Sequence, residues 1–376
     1  MSVLSLRAVS PAVAAAPAPA TLTIDLGAIA RNYRLLAKAV APAECAAVVK
    51  ADAYGLGVER VVPALLAAGA RRFYVATLEE ALVVKTLLPA DAYLAVLGGV
   101  VPGAEWQFRA HGIIPVLNSL VEARRWADSL PRGAALVPTI LQADTGMSRL
   151  GMSLDDLHTL AADRALLGRL NPRWLMSHLA CADEPDHPAN QAQREVFQAA
   201  LKILPQLGGS FANSAGIALG KAFHFDLCRP GAALYGLNTG PLTLPLEPVV
   251  GLSARVLQVR TITAETSVGY GYSFTASGPM RLATIGVGYA DGLPRSLSGR
   301  GAAFLGGHRL PIVGRISMDT CSVDVSALPE DAIALGDSVE LIGPQQSADD
   351  VAALAGTIGY EILTGLGTRP GRVYVS

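Results

Sequence analysis

From Ile24 to Arg229 the chain alternates short apolar, β-prone runs with stretches of helical period, and this alternation restricts the fold more than any other feature. Candidate strands are Ala46–Lys50, Arg72–Ala76, Tyr93–Leu97, Ile113–Leu117, Leu136–Asp144, Trp174–His178, Ser210–Asn213 and Phe225–Arg229. Between them, Thr77-Leu-Glu-Glu80 reads as a capping-box start ahead of a helix over Ala81–Leu88. Gln191–Ile203 carries Val196, Phe197, Ala200 and Leu201 close to helical spacing. Strands that alternate with helices form parallel βα units. Eight such units fit a closed, TIM-like (β/α)8 barrel in an α/β chain better than an open sheet.

The texture changes at Leu237–Pro248, where Pro241, Pro245 and Pro248 interrupt any helix. The boundary is therefore placed between a barrel over residues 21–247 and a mostly-β domain over 248–376. Leu252, Ala254 and Val256 open a period-two stretch there, continued by 282–287, 310–313, 321–325 and 338–342 with glycine-rich turns. One helix is expected over Val351–Ile358, with Ser347 as N-cap and Asp349 and Asp350 in its first turn. With 51% hydrophobic residues in 376, there is core material for two domains.

Composition excludes several classes. A net charge of −1 provides no electrostatic basis for binding nucleic acid or an anionic membrane. Cys45, Cys181, Cys228 and Cys321 are scattered, and the six histidines form no ligand pair, so neither a disulfide framework nor a metal site is expected; a reducing cytoplasm fits. No apolar run approaches the ~20 residues of a membrane span. Residues 1–20 are rich in Ala and Pro. Pro11, Pro17 and Pro19 break the apolar segment a signal peptide needs, so a disordered tail is expected.

Polar residues gather at the carboxyl ends of the candidate strands: Lys50 after the first, Asp144–Arg149 after the fifth, His178 at the sixth, Asn213-Ser214 at the seventh and Arg229-Pro-Gly231 at the eighth. That is the face on which barrels build sites, and the loops after the last two strands are where they commonly hold a phosphate. Lys50 ends an apolar run in Ala-Val-Val-Lys-Ala-Asp-Ala-Tyr-Gly-Leu-Gly57. Burial disfavours the charged amine, and a neutral amine is what a Schiff base to an aldehyde requires. A lysine snorkelling from a strand end would read the same way.

The Lys50 segment resembles the pyridoxal-phosphate (PLP) lysine motif of alanine racemases. The resemblance extends, in family order, through Ser-His-Leu-Ala-Cys-Ala-Asp183, Ala-Asn-Ser214, Arg-Pro-Gly-Ala-Ala-Leu-Tyr235, Val-Gly-Tyr-Gly-Tyr272, Gly-Tyr-Ala-Asp-Gly292 and Gly-Arg-Ile-Ser-Met-Asp319, and covers nearly everything from Thr21 to Val375. It implies that Lys50 holds PLP and serves as one catalytic base. Arg229 would face the pyridine nitrogen, Arg149 the phenolate oxygen, and Tyr54, Ser214, Gly231 and Ala232 the phosphate. Racemisation needs a base on each face of the planar carbanion. Tyr270 resembles the second base, reaching the partner subunit's barrel in a homodimer with shared sites. His178 would link Tyr270 to Arg229, although it also reads as a core histidine. Met318 would contact the substrate carboxylate through its backbone, and Asp183, Tyr289, Arg295 and Arg315 would line the entrance.

Two positions depart from the family. Gln142 stands seven residues before Arg149, where many members carry a lysine that is often carbamylated, so a bound anion or a direct amide hydrogen bond would have to orient Arg149 instead. Thr368 reads as replacing a tyrosine near the phosphate. The implied function is interconversion of L- and D-alanine, supplying D-alanine for peptidoglycan. Other readings are a racemase of serine or of broad specificity, a related PLP decarboxylase, disfavoured by the run Val268–Tyr272, and a non-catalytic PLP-binding protein, disfavoured by the second domain.

Overall fold

The computed structural model describes residues 18–131, 133, 136–240 and 242–376. The expected tail therefore lies, through residue 17, outside the described residues, as does Pro241. Two compact units are present. One comprises Asp25–Val249, Ile358–Thr364 and Val375–Ser376; the other comprises the residues before Asp25, Val250–Thr357 and Gly365–Tyr374. We call them the barrel unit and the β unit.

In chain order, β1 (Ala20–Asp25) belongs to the β unit and is followed by the barrel strands. These are β2 (Glu44–Cys45), β3 (Ala47–Val48), β4 (Arg72–Val75), β5 (Tyr93–Val96), β6 (Ile114–Leu117), β7 (Thr139–Gln142), β8 (Pro172–Met176), β9 (Gly208–Ser210) and β10 (Leu227–Cys228). They form one sheet in the order β2-β10-β9-β8-β7-β6-β5-β4-β3, and every pairing in it is parallel. β2 and β3 are separated only by Ala46, whose N–H donates to Cys228 O at 2.9 Å. They are two halves of one strand, so the sheet closes on itself as an eight-stranded TIM-like barrel.

The strands are shorter than the sequence suggests. The run Leu136–Asp144 pairs only over Thr139–Gln142, and the run Ser210–Asn213 has already left the sheet by Asn213, whose side chain caps Ser214–Ala218 through Gly216 N at 2.8 Å. Past β7 and β9 the runs continue because Ala143, Phe211 and Ala212 at the carboxyl rim are buried, whereas Leu136, before β7, is exposed. Helices start where short polar side chains cap them. Ser119 caps Leu120–Asp128, and Ser153 with Asp156 forms a capping box for Leu154–Ala162.

Inside the barrel, register neighbours point the same way. Arg72 pairs with Tyr93, and Trp174 with Gly208. The Arg72 guanidinium lies 4.9 Å from the Tyr93 ring centroid and 5.2 Å from that of Trp174, and it forms a two-bond ion pair with Glu44. Gly208 is required here, because a Cβ would fall 2.7 Å from the Trp174 ring. Cation–π stacking and a paired carboxylate thus form the barrel floor.

The β unit is an antiparallel sheet built on the long strand β11 (Val250–Ile262). A two-stranded ribbon, β12 (Ser267–Val268) and β13 (Phe274–Thr275), precedes β14 (Met280–Ile285), β15 (Ala302–Leu305), β16 (His308–Val313), β17 (Cys321–Asp324), β18 (Ser338–Ile342) and β19 (Gly371–Val375). The sheet order is β14-β17-β16-β15-β18-β11-β1-β19. A bulge between Val256 and Gln258 lets β11 pair with β18 along one stretch and β14 along the next. The expected helix runs over Ala348–Ala355, with Ser347 and Asp350 in a capping box and Gly356 ending it at φ 77°. No helix among the described residues is long and apolar enough to cross a membrane.

Candidate functional site

Lys50 lies just beyond β3, as the first residue of the turn Lys50–Gly55. The turn is left-handed: Ala51, Asp52, Ala53 and Tyr54 all have φ between 53° and 57°. Each such L-residue costs about 1–2 kcal/mol, so the surroundings must over-determine the conformation. Glu80 does so most directly. Its carboxylate accepts from Ala51 N at 2.8 Å and from Ala76 N at 2.7 Å. The capping box read at Thr77–Glu80 is therefore half correct. Thr77 Oγ1 accepts from Glu80 N at 3.4 Å, but the Glu80 side chain holds the lysine turn and the end of β4. Asp52 Oδ1 accepts from Val58 N at 2.7 Å, and Gly55, at φ 82°, packs where a Cβ would meet Leu363 O at 2.6 Å.

The turn carries Lys50 and Tyr54 into a cavity of about 120 Å³ at the carboxyl rim, shared with His178, Ser214, Arg229, Gly231 and Ala232. Seven of the sequence-predicted residues thus meet in one place. Val48, Leu97, Asn213 and Tyr360 complete the lining. The Tyr54 ring sits 4.6 Å from Tyr235 and 6.2 Å from Tyr360, centroid to centroid. Ser214 Oγ accepts from Gly231 N at 2.9 Å and Ala233 N at 3.2 Å, fixing the loop after β10. A Cβ on Gly231 would fall 2.2 Å from Tyr54 Oη, so only glycine leaves that side of the cavity open.

Arg229 is buried. It donates to Ser210 Oγ at 2.5 Å and to Ser177 O at 2.6 Å, and among the described residues no carboxylate forms a salt bridge with it. Burial lowers the pKa of its guanidinium, which stays charged. Burial, then the Arg149 charge, lowers the Lys50 amine, opposed by Glu80. His178 is pushed down to about 3 by burial first and then by Arg229, Arg149 and Lys50, so its imidazole is neutral at pH 7. Burial raises Tyr54, with Tyr360 adding to the effect, and keeps it a neutral hydroxyl.

Arg149 is exposed at the end of the loop after β7, where Asp144 Oδ1 accepts from Gly146 N and Ser148 N at 2.9 and 3.1 Å. Gln142 is buried and donates to Leu150 O at 3.2 Å. It therefore anchors the backbone beside Arg149. Asp183 is exposed on the barrel unit. Tyr270, Tyr289, Arg295, Arg315 and Met318 all belong to the β unit and are exposed. Tyr270 is 69% exposed in the short turn Tyr270–Tyr272, which packs on Arg315: a Cβ on Gly271 would lie 2.9 Å from its Nη1. Tyr289 N donates to Ser317 O at 3.1 Å and Ala290 N to Met318 O at 3.0 Å, joining those two loops.

The departure read at Thr368 is corrected. A tyrosine does line the cavity: it is Tyr360, eight positions earlier, whereas Thr368 is an exposed residue of the β unit. Glu80, Leu97 and Tyr360 were not among the predicted site residues. For Tyr360 the signal would have been the return of Ile358–Thr364 to the barrel unit, which has no local signature.

The cavity suits a flat ring with an anionic tail. Its volume is of the order of the ~150 Å³ that takes up one benzene ring. An amine of lowered pKa, a buried cation with no acidic partner and a glycine-opened, hydroxyl-bearing wall surround it. A TIM-like barrel with that set at its carboxyl rim defines a lysine-anchored cofactor enzyme. The family described as "Alanine racemase, N-terminal domain" matches residues 24–239, and "Alanine racemase, C-terminal domain" matches 249–374. The alanine racemase of Brucella ovis is 51% identical over 369 residues, covering 94% of this chain and 93% of that protein. A protein of Agrobacterium fabrum named "Alanine racemase, catabolic" is 50% identical over 365 residues, covering 96% and 94%. The crystal structure of alanine racemase from Bartonella henselae with covalently bound pyridoxal phosphate has a TM-score of 0.92 at 46% identity, covering 96% of this chain and all of that one. The chain belongs to the alanine racemase family.

Proposed function

We propose that the chain interconverts L- and D-alanine with PLP held at Lys50. The observation that carries this reading is the Lys50 amine, lowered in pKa and held by a left-handed turn in the same cavity as Arg229 and neutral His178. PLP, when bound, supplies an aldehyde that joins to an amine and a ring that draws electron density from the substrate's α-carbon. Tyr54, Ser214, Gly231, Ala232 and Tyr360 would hold its phosphate, and Arg229 would face its ring nitrogen. An arginine stays charged and does not hand that nitrogen a proton, which favours simple proton movement over further chemistry.

Lys50 takes and returns the α-proton on one face, and Tyr270 acts on the other. A phenol of ordinary pKa ~10 is a weak base at neutral pH and needs help. His178 is kept neutral by burial and by the nearby Arg229 charge, so a ring N–H is available to donate toward the phenolic oxygen of Tyr270. Arg149 and the Met318 backbone orient the substrate carboxylate, and Asp183, Tyr289, Arg295 and Arg315 restrict entry to a small amino acid. We assign Tyr270 and Met318 to the partner subunit's site in a homodimer; the exposure of Tyr270, Tyr272 and Met318, at 69%, 75% and 51%, supports a covering partner. The catalytic division falls between the barrel unit, Asp25–Val249 with Ile358–Thr364, and the β unit, rather than at the expected 247/248 boundary alone, and the product serves peptidoglycan assembly from the cytoplasm.

The test is chiral analysis of L-alanine and L-serine incubated separately with the purified, PLP-loaded chain. Alanine should reach equal amounts of both enantiomers, with serine slower. Lys50→Ala should lose the visible absorption of lysine-bound PLP and several orders of magnitude in rate. Normal turnover by Lys50→Ala would overturn the assignment.

A further inference from the structure

Arg229 is supported by Ser210 and Ser177, and across β3 from it, where Val48 N donates to Pro230 O at 3.0 Å and Val48 pairs in register with Tyr74, lies a hydroxyl with no hydrogen-bond partner among the described residues. Tyr74 is fully buried, and its hydroxyl makes no hydrogen bond. An orphan buried hydroxyl is costly, so its retention calls for a reason. Tyr74 points into the barrel: its register neighbour on β3 is Val48, which lines the cavity, and its neighbour on β5 is Ala95, whose single methyl leaves the ring room to cross the interior. Two positions earlier on the same strand, Arg72 belongs to the floor. Tyr74 therefore occupies the layer between the floor and the rim. Arg229 and Tyr74 sense each other: the guanidinium opposes the upward push of burial on the phenol, and the phenol raises the guanidinium in return.

We infer that Tyr74 is a positioning residue for Arg229, its hydroxyl reaching the guanidinium through one buried water and fixing the angle at which Arg229 faces the cavity. The inference rests on the functional reading above. Tyr93 supplies the control. Its hydroxyl is likewise buried and unpartnered, its ring lies 6.3 Å from that of Tyr74, and its charged neighbours are Arg72 and Glu44.

The test compares Tyr74→Phe and Tyr93→Phe in the PLP-loaded full chain, each alone and combined with Arg229→Lys. Tyr74→Phe is expected to lower kcat about tenfold with KM within about twofold, to shift the visible band of the bound cofactor, and to leave the melting temperature essentially unchanged, since the buried ring is kept. In the Arg229→Lys background the same change should cost nothing further, because residues that act through one another are non-additive. Tyr93→Phe should leave kcat and the band alone. A wild-type kcat and band in Tyr74→Phe, an equal loss in the Arg229→Lys background, a matching loss in Tyr93→Phe, or a Tyr74→Phe protein that does not fold would each overturn the inference. A wild-type chain that fails to racemise alanine would overturn the functional reading, and this inference with it.

Discussion

Lowering the pH from 7 to 5 should destabilise the barrel unit through one residue, His178. Its folded-state pKa is about 3, against an ordinary value of 6.5, because burial and then Arg229, Arg149 and Lys50 oppose a further charge. Between those values the unfolded chain binds a proton that the folded chain refuses, so stability rises with pH across the window and is fully present only above 6.5. At pH 5 the unfolded imidazole lies about 1.5 pH units below its midpoint, and at ~1.36 kcal/mol per unit the loss is about 2 kcal/mol. The three tryptophans, Trp106, Trp126 and Trp174, all lie in the barrel unit, so their fluorescence reports its unfolding. Denaturant titrations of wild type and His178→Gln, both stripped of PLP, should diverge: between pH 7 and 5 the wild type should lose about 2 kcal/mol more than the variant. Parallel pH dependences, or an imidazole resonance of His178 titrating near its ordinary midpoint, would refute the neutral-histidine argument. The proposed Arg229–His178–Tyr270 relay would lose its direction with it.

Gly231→Ala would bring a Cβ to 2.2 Å from Tyr54 Oη, whose ring is already packed on Tyr235 at 4.6 Å. Overpacking of about 1–3 kcal/mol at the cofactor wall should raise the Kd for PLP by about tenfold or more, read by titrating the apoprotein; wild-type affinity would argue that Tyr54 is free to move. Tyr270→Phe should slow racemisation by about 10²–10⁴-fold while D-alanine still exchanges its α-hydrogen with deuterated solvent through Lys50. Unimpaired exchange of both enantiomers would remove Tyr270 as the second base. Mixing inactive Lys50→Ala with inactive Tyr270→Phe should restore partial activity through mixed dimers, and no recovery despite subunit exchange would place both bases in one chain.

The barrel was legible because its signal is local. Each strand is a short apolar run, and each rim residue lies at or just beyond the end of one, so Lys50, His178, Ser214, Arg229 and Gly231 could be grouped before any distance was known. The same locality misplaced the strand ends. Burial of the rim loops extends the apolar runs past the last paired residue, as at Phe211 and Ala212 after β9.

What sequence reasoning missed depends on backbone conformation and on contacts between distant segments. Nothing in Lys-Ala-Asp-Ala-Tyr announces four consecutive left-handed residues, because Ala has no preference for that region; the conformation exists because Glu80 and Asp52 hold it. That makes the lysine turn a tertiary product. Glu80 reads locally as a helix-capping residue, and its carboxylate is instead spent on Ala51 N and Ala76 N, so a local rule is broken where the site gains a fixed amine. Tyr360 illustrates the same principle across a longer interval. It reaches Tyr54 only because Ile358–Thr364 returns to the barrel unit after more than a hundred residues in the β unit, and Gly55 marks the docking point by leaving space for Leu363 O. Both ends of the left-handed turn therefore meet remote chain, Ala51 through Glu80 and Gly55 through Leu363. The position of the Lys50 amine is set by the closure of the barrel unit as a whole.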